Sequence, residues 1–147
     1  GEMRDPETMR IALAAAEKTL EILAETPALA SIADYGTKLR AGMSQILSQR
    51  GIKHSFSGHP SMSGLFFSEK PPNDYRDWAS SDYTFYEALA PHLHDLGVLC
   101  EPDSREPWFI CEAHDARCLA ETLESFETAV DRVVDQARSP EPAHRAG

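Results

Sequence analysis

The sequence predicts an α+β domain with element order ααββαββα, in which helices flank a short sheet. Three observations lead there. Two long stretches at the start repeat apolar residues at helical spacing, each opened by a proline signal. The middle breaks into short apolar runs separated by Gly and Pro, the pattern of short strands and turns. The end returns to a single long helical stripe.

Asp5-Pro6-Glu7 opens the first helix: Asp caps free amides, Pro takes the first helical position, and Glu suits the positive end of the dipole. Met9, Leu13, Ala16, Leu20 and Leu23 then form its stripe. Thr26-Pro27 repeats the signal for a second helix, striped by Leu29, Ile32, Gly36, Leu39, Met43, Ile46 and Leu47 and ended by Gly51. Ile52 to Ser57 and Ser61 to Ser68 read as strands around the Gly58-His59-Pro60 turn, and Glu69 to Asp77 reads as a surface loop. A third helix is predicted from Tyr83 to Leu96, kinked or split at Pro91, and Gly97 releases the chain into a strand at Val98-Leu99-Cys100. Trp108 to Cys111 is the next strand. The last helix runs from about Asp115 to Ala137 on Leu119, Leu123, Phe126, Val130, Val133 and Ala137. This gives one domain over 1–138 and a disordered tail over 139–147.

Composition narrows the function. The 147 residues carry 14 Lys+Arg against 24 Asp+Glu, a net charge of −10. Acidity and four scattered lysines argue against a nucleic-acid surface. No apolar run has the roughly 20 residues of a membrane span, and Gly1 to Arg10 has no signal-peptide core, so a cytoplasmic protein is expected. Cys100, Cys111 and Cys118 are odd in number and lack CxxC spacing, which favours reduced thiols over disulfides or zinc.

Glycine-rich nucleotide motifs and the GxSxG elbow are absent, and Gly58 to Gly64 has serines near a histidine without a matching spacing. His92 and His94 stand two apart on a helix and face different ways, while His54 and His59 lack a third ligand, so no metal site is expected. The densest polar and aromatic stretch is Cys100 to Asp115, where Arg105, Glu106, Cys111, Glu112 and His114 surround a Trp-Phe-Ile strand. A loop fixed by such a strand is a candidate site. The plainer reading makes Trp108 and Phe109 core, Glu112 solvated and His114 a helix cap.

That segment resembles the C-terminal region of class III aminotransferases, especially members like glutamate-1-semialdehyde 2,1-aminomutase. Phe109-Ile110-Cys111-Glu112-Ala113-His114 fits the family's F-x-S-x-A-H frame with Cys111 in the serine position. Ala14 to Leu23 is similar to its Ala-rich A-T-L-E-x-L helix, and Ser63-Gly64-Leu65-Phe66-Phe67 to its S-G-x-F-x-x-F-F strand. Asn73-Asp74-Tyr75 and Ser80-Ser81-Asp82 fall in its N-Y-x-D-A-x-x-S-D loop. The resemblance spans residues 7 to 137.

It implies the small C-terminal domain of a fold-type-I, pyridoxal-phosphate enzyme, with a short, mostly antiparallel sheet. In such an enzyme a lysine holds pyridoxal 5'-phosphate as a Schiff base, and the ring acts as an electron sink. By motif position Glu106 faces substrate and cofactor, Ser63 lies towards the cleft, and His114, Cys111 and Phe109 are structural. Arg105 beside Glu106 is a cation for a substrate carboxylate, an extension from the residue type rather than a family match.

None of Lys18, Lys38, Lys53 and Lys70 has the context of the Schiff-base lysine. The family's phosphate turn and its pyridine-pairing aspartate are also missing. The G-T-x-x-G-N-P lead is replaced by Gly1 to Pro6. The expected protein is therefore a fragment, with no catalytic residue of its own. Its implied partners are the missing large pyridoxal-phosphate domain, an amino acid or keto/aldehyde substrate, and a second copy of the parent in a homodimer. An apolar face should be bare where the large domain belongs. The alternative is a non-catalytic α+β interaction module derived from an aminotransferase. A cysteine enzyme built on a buried Cys111 with His114 is a distant third.

Overall fold

The computed structural model describes residues 5–138, so the expected tail at 139–147 lies outside the described residues. Helix α1 spans Pro6–Glu25, and the Asp5 carboxylate accepts the amides of Glu7 and Thr8 at 3.4 and 3.1 Å. Helix α2 spans Ala28–Gln49. Pro27 itself occupies its N-cap position, and Thr26 Oγ1 accepts the Ala28 amide at 3.4 Å. Gly51, at φ 68°, closes α2, and the Ile52 amide turns back to the Leu47 carbonyl at 3.0 Å.

Three antiparallel strands follow in the order β1-β2-β3: β1 at Ser55–Ser57, β2 at Met62–Phe66 and β3 at Trp108–Phe109. The register sets Phe56 opposite Leu65 and Ser63 opposite Trp108. Between β2 and β3 lie α3, Tyr75–Ala79, and α4, Tyr83–Asp95; α5 closes the fold at Ala116–Arg138. The core sits where α2, α4, α5 and β2 meet, around the fully buried Leu47, Leu65, Tyr86, Leu89, Leu93, Phe126 and Val130. Gly36 permits the tight crossing of α2 over the hairpin turn, because a Cβ there would stand 1.9 Å from the Pro60 carbonyl oxygen.

The α+β class and the antiparallel sheet match expectation, with local differences. Asp74 caps the unexpected helix α3 inside the predicted loop, accepting the Arg76 and Asp77 amides at 2.8 and 2.9 Å. Pro91 leaves α4 in one piece: the donor it lacks belongs opposite the carbonyl of Glu87, an exposed residue that water can reach. Val98 to Cys100 forms no strand, since the Val98 amide closes α4 on the Leu93 carbonyl at 2.9 Å. Leu99 is left 93% exposed. Helix α1 has no buried residue, so its apolar stripe is left uncovered among the described residues.

Candidate functional site

Strand β3 carries the charged segment. Successive residues of a strand point to opposite faces, so Trp108 turns inward against Phe126, with ring centroids 6.3 Å apart, while Phe109 is 65% exposed. The expectation that both aromatics are core fails for Phe109 on that alternation. The Trp108 indole donates to the Tyr86 hydroxyl at 3.0 Å, and that hydroxyl donates to the Glu101 carbonyl at 3.1 Å. Burial pushes the Tyr86 phenol well above its ordinary value, keeping its proton available as donor.

From the first of these anchors to the second the chain forms a loop, 101–107. Within it the Arg105 guanidinium grips the Asp103 carboxylate through Nε and Nη2, and this holds Asp103 below the usual carboxylate range. The Glu106 amide donates to the Asp103 carbonyl at 3.0 Å. Its exposed carboxylate takes part in none of the ion pairs among the described residues. Ser104 is buried and accepts the Trp78 indole N–H at 2.8 Å, and the Arg105 guanidinium carbon lies 4.8 Å from the centroid of the Trp78 ring. Trp78 in turn stacks on Tyr83 at 4.8 Å.

Ser63 is brought beside Trp108 by strand register but is buried. Its hydroxyl accepts from Arg40 Nε and points its own proton towards the carbonyls of His59 and Pro60, each at 3.3 Å. Arg40 Nη2 also donates to the carbonyls of Ser57 and Gly58 at 2.9 and 2.6 Å, tying the hairpin to α2.

Cys111 and His114 lie at the far end of β3. The Cys111 amide donates to His114 Nδ1 at 3.2 Å, and the imidazole packs on Tyr35 with centroids 5.5 Å apart, so His114 shapes the turn into α5. Cys111 is exposed, contrary to the buried position expected for it, because β3 ends two residues earlier. A cavity of about 380 Å³ opens here between α2, α5 and the 96–99 segment, lined by Tyr35, Leu39, Val98, Trp108, Ile110 and His114 among others. Among the described residues no group of three or more His, Cys, Asp or Glu could hold a metal ion. No helix there is long and apolar enough to cross a membrane.

Ser63 thus lies opposite Trp108 at the start of β3, Arg105 and Glu106 stand in the exposed loop that leads into it, and Cys111 and His114 follow its end. Sequence reasoning missed Trp78, Tyr86, Ser104 and Arg40, which support the loop and the hairpin. The one available signal was Trp78, a large aromatic just beyond a proline-rich polar segment.

No protein-family model matches the chain. Glutamate-1-semialdehyde 2,1-aminomutase of Thermus thermophilus is 31% identical over 121 residues, 82% of this chain. That of Aquifex aeolicus is 29% identical over a similar span. Among solved structures, the pyridoxal-phosphate internal aldimine form of the FumI protein of Sphingopyxis sp. MTA144 covers 88% of this chain at 29% identity, with a TM-score of 0.71. The chain is similar to the C-terminal region of class III, aminomutase-like aminotransferases. An omega-transaminase from Sphaerobacter thermophilus, 21% identical, covers 74% of this chain with a TM-score of 0.63 and shares the fold. The chain spans 28% of the Thermus relative's length, 28% of the FumI chain and 25% of the omega-transaminase.

Proposed function

We propose that this chain is the small C-terminal domain of a pyridoxal-phosphate-dependent class III aminotransferase or aminomutase, and that it forms one wall of the active-site cleft. The observation that carries the reading is the 31% identity to an aminomutase over 82% of the chain. The exposed Glu106, in no ion pair among the described residues and set on an anchored loop, supports it.

This chain by itself does not fit the cofactor. Lys18, Lys38 and Lys53 are exposed and paired with Glu21, Asp34 and Glu69, and Lys70 lies on an exposed loop. None stands in a pocket that could hold pyridoxal phosphate, so in this reading the Schiff-base lysine comes from the rest of a longer chain, which pairs as a homodimer. Glu106 then faces a substrate amine, to which a carboxylate offers a charge-assisted hydrogen bond. Arg105 meets a substrate carboxylate only by releasing Asp103, and Ser63 sets the wall's shape through Arg40.

The bare apolar side chains of Met9, Ile11, Leu13, Leu20, Leu29, Met62 and Phe109 support a docked domain, which would cover them. The test is the intact mass of the native product that carries these peptides. A polypeptide far longer than 147 residues, whose amino transfer falls on Glu106→Gln, is expected. A native product of 147 residues would replace this reading with the non-catalytic module.

A further inference from the structure

We propose that Trp78 is a positioning residue for Glu106, the clasp that fixes the middle of the loop whose two ends Tyr86 holds; this rests on the reading of Glu106 as a cleft residue. Six residues, 102–107, lie between the two groups that Tyr86 anchors, the Glu101 carbonyl and the Trp108 indole. A six-residue span has ample freedom, and each residue left unfixed keeps its backbone conformational entropy. Something must restrict the middle if Glu106 is to present its carboxylate in one place.

Trp78 does this in two ways. Its indole N–H donates to Ser104 Oγ at 2.8 Å, and Ser104 is only 4% exposed. Its ring lies under the Arg105 guanidinium at 4.8 Å, while Asp103 holds the same guanidinium from within the loop. The Glu106 amide then donates to the Asp103 carbonyl, so the carboxylate-bearing residue follows directly from three fixed neighbours. Trp78 is itself held: it stacks on Tyr83, contacts Tyr75 at 5.3 Å, and its carbonyl accepts the Ser81 hydroxyl at 2.6 Å. Asp74 caps the short helix that carries it. The device therefore joins α3 and the start of α4 to the charged loop. It also explains why a polar, proline-flanked segment contains a tryptophan.

The test is backbone ¹⁵N relaxation of the 147-residue chain as wild type, Trp78→Phe and Trp78→Ala. In Trp78→Ala the order parameters of Ser104, Arg105 and Glu106 should drop from the rigid range near 0.85 to below about 0.6, with α2, α4 and α5 unchanged. Trp78→Phe keeps a ring for Arg105 and Tyr83 but lacks the donor, so it should restore part of the rigidity. A rigid Glu106 in Trp78→Ala, or a loss of order spread through the core helices, overturns the proposal. In the longer enzyme, Trp78→Ala should raise KM or lower kcat in the same sense as Glu106→Gln. If the loop loosens while Glu106→Gln leaves amino transfer unchanged, the clasp stands and Glu106 as a cleft residue falls.

Discussion

Tyr86 holds two ends of the charged loop with one oxygen, and no water can replace it cheaply in a site only 1% exposed. Removing the hydroxyl strands the Trp108 indole N–H and the Glu101 carbonyl together. Tyr86→Phe should therefore cost about 1–3 kcal/mol, read as a lower urea midpoint at unchanged slope. A loss below about 0.5 kcal/mol would mean that the loop readily finds other partners. Arg50 joins the end of α2 to α5: it donates to Asp131 at 2.5 and 2.8 Å and to Glu127 at 2.9 Å. Its hydrogen bonds hold Asp131 below the ordinary aspartate range. A depressed folded pKa contributes stability that is complete above the unfolded value and is lost as pH falls through the folded one. The stability gap between wild type and Asp131→Asn should thus be full at neutral pH and shrink as pH drops below the ordinary aspartate range. Because Asp131 is about half exposed, the gap should be modest and smaller in high salt.

At the scale of elements, two glycines of α2 make opposite predictions from the same substitution. Replacing helical Gly by Ala gains about 1 kcal/mol of propensity where space permits. At Gly36 the new methyl would meet the Pro60 carbonyl oxygen at 1.9 Å, a backbone group that moves only with the whole hairpin turn. Gly36→Ala should destabilise by about 1–3 kcal/mol. At Gly42 the neighbour is the Leu123 side chain, at 2.5 Å, which can change rotamer. Gly42→Ala should fall within about 1 kcal/mol of wild type, and paired urea melts of the two variants check both. The same contrast between local and distant causes decides what could be read from sequence. Asp5-Pro6, Gly51 and Gly97 mark helix ends through bonds to residues two to five positions away, so those boundaries were legible. Val98-Leu99-Cys100 has strand character, but a strand also needs an edge to pair with, and that edge is set by the tertiary fold. Arg105 and Glu106 were legible as a charged cluster, whereas the Trp78 to Ser104 bond spans 26 positions and leaves no local trace.

At the scale of the whole molecule, α1 departs from the pattern of the other long helices. At about 100° per residue, Met9, Leu13 and Leu20 fall on one side of α1, and Ile11 and Ile22 on the side across from it. All five are exposed, from 43% for Ile22 to 67% for Ile11 and Leu20. A helix apolar on opposite sides is built for burial between two surfaces, yet α1 packs only sparsely against α2 and has no buried residue. Twenty residues of largely unsupported helix are marginal in water, since helical stability in proteins comes mainly from packing an apolar face. The rest of the domain should therefore not depend on α1. Deleting residues up to Ala24 should change the unfolding free energy by less than about 1 kcal/mol, because no side chain of α1 is buried. The same deletion should sharply reduce binding of a dye that reports exposed apolar surface. A loss of several kcal/mol would instead make α1 part of the core that α2, α4 and α5 share. In the longer enzyme the expectation reverses: with both sides of α1 covered, its amides should exchange as slowly as those of α5, and deleting it should release the small domain from the large one.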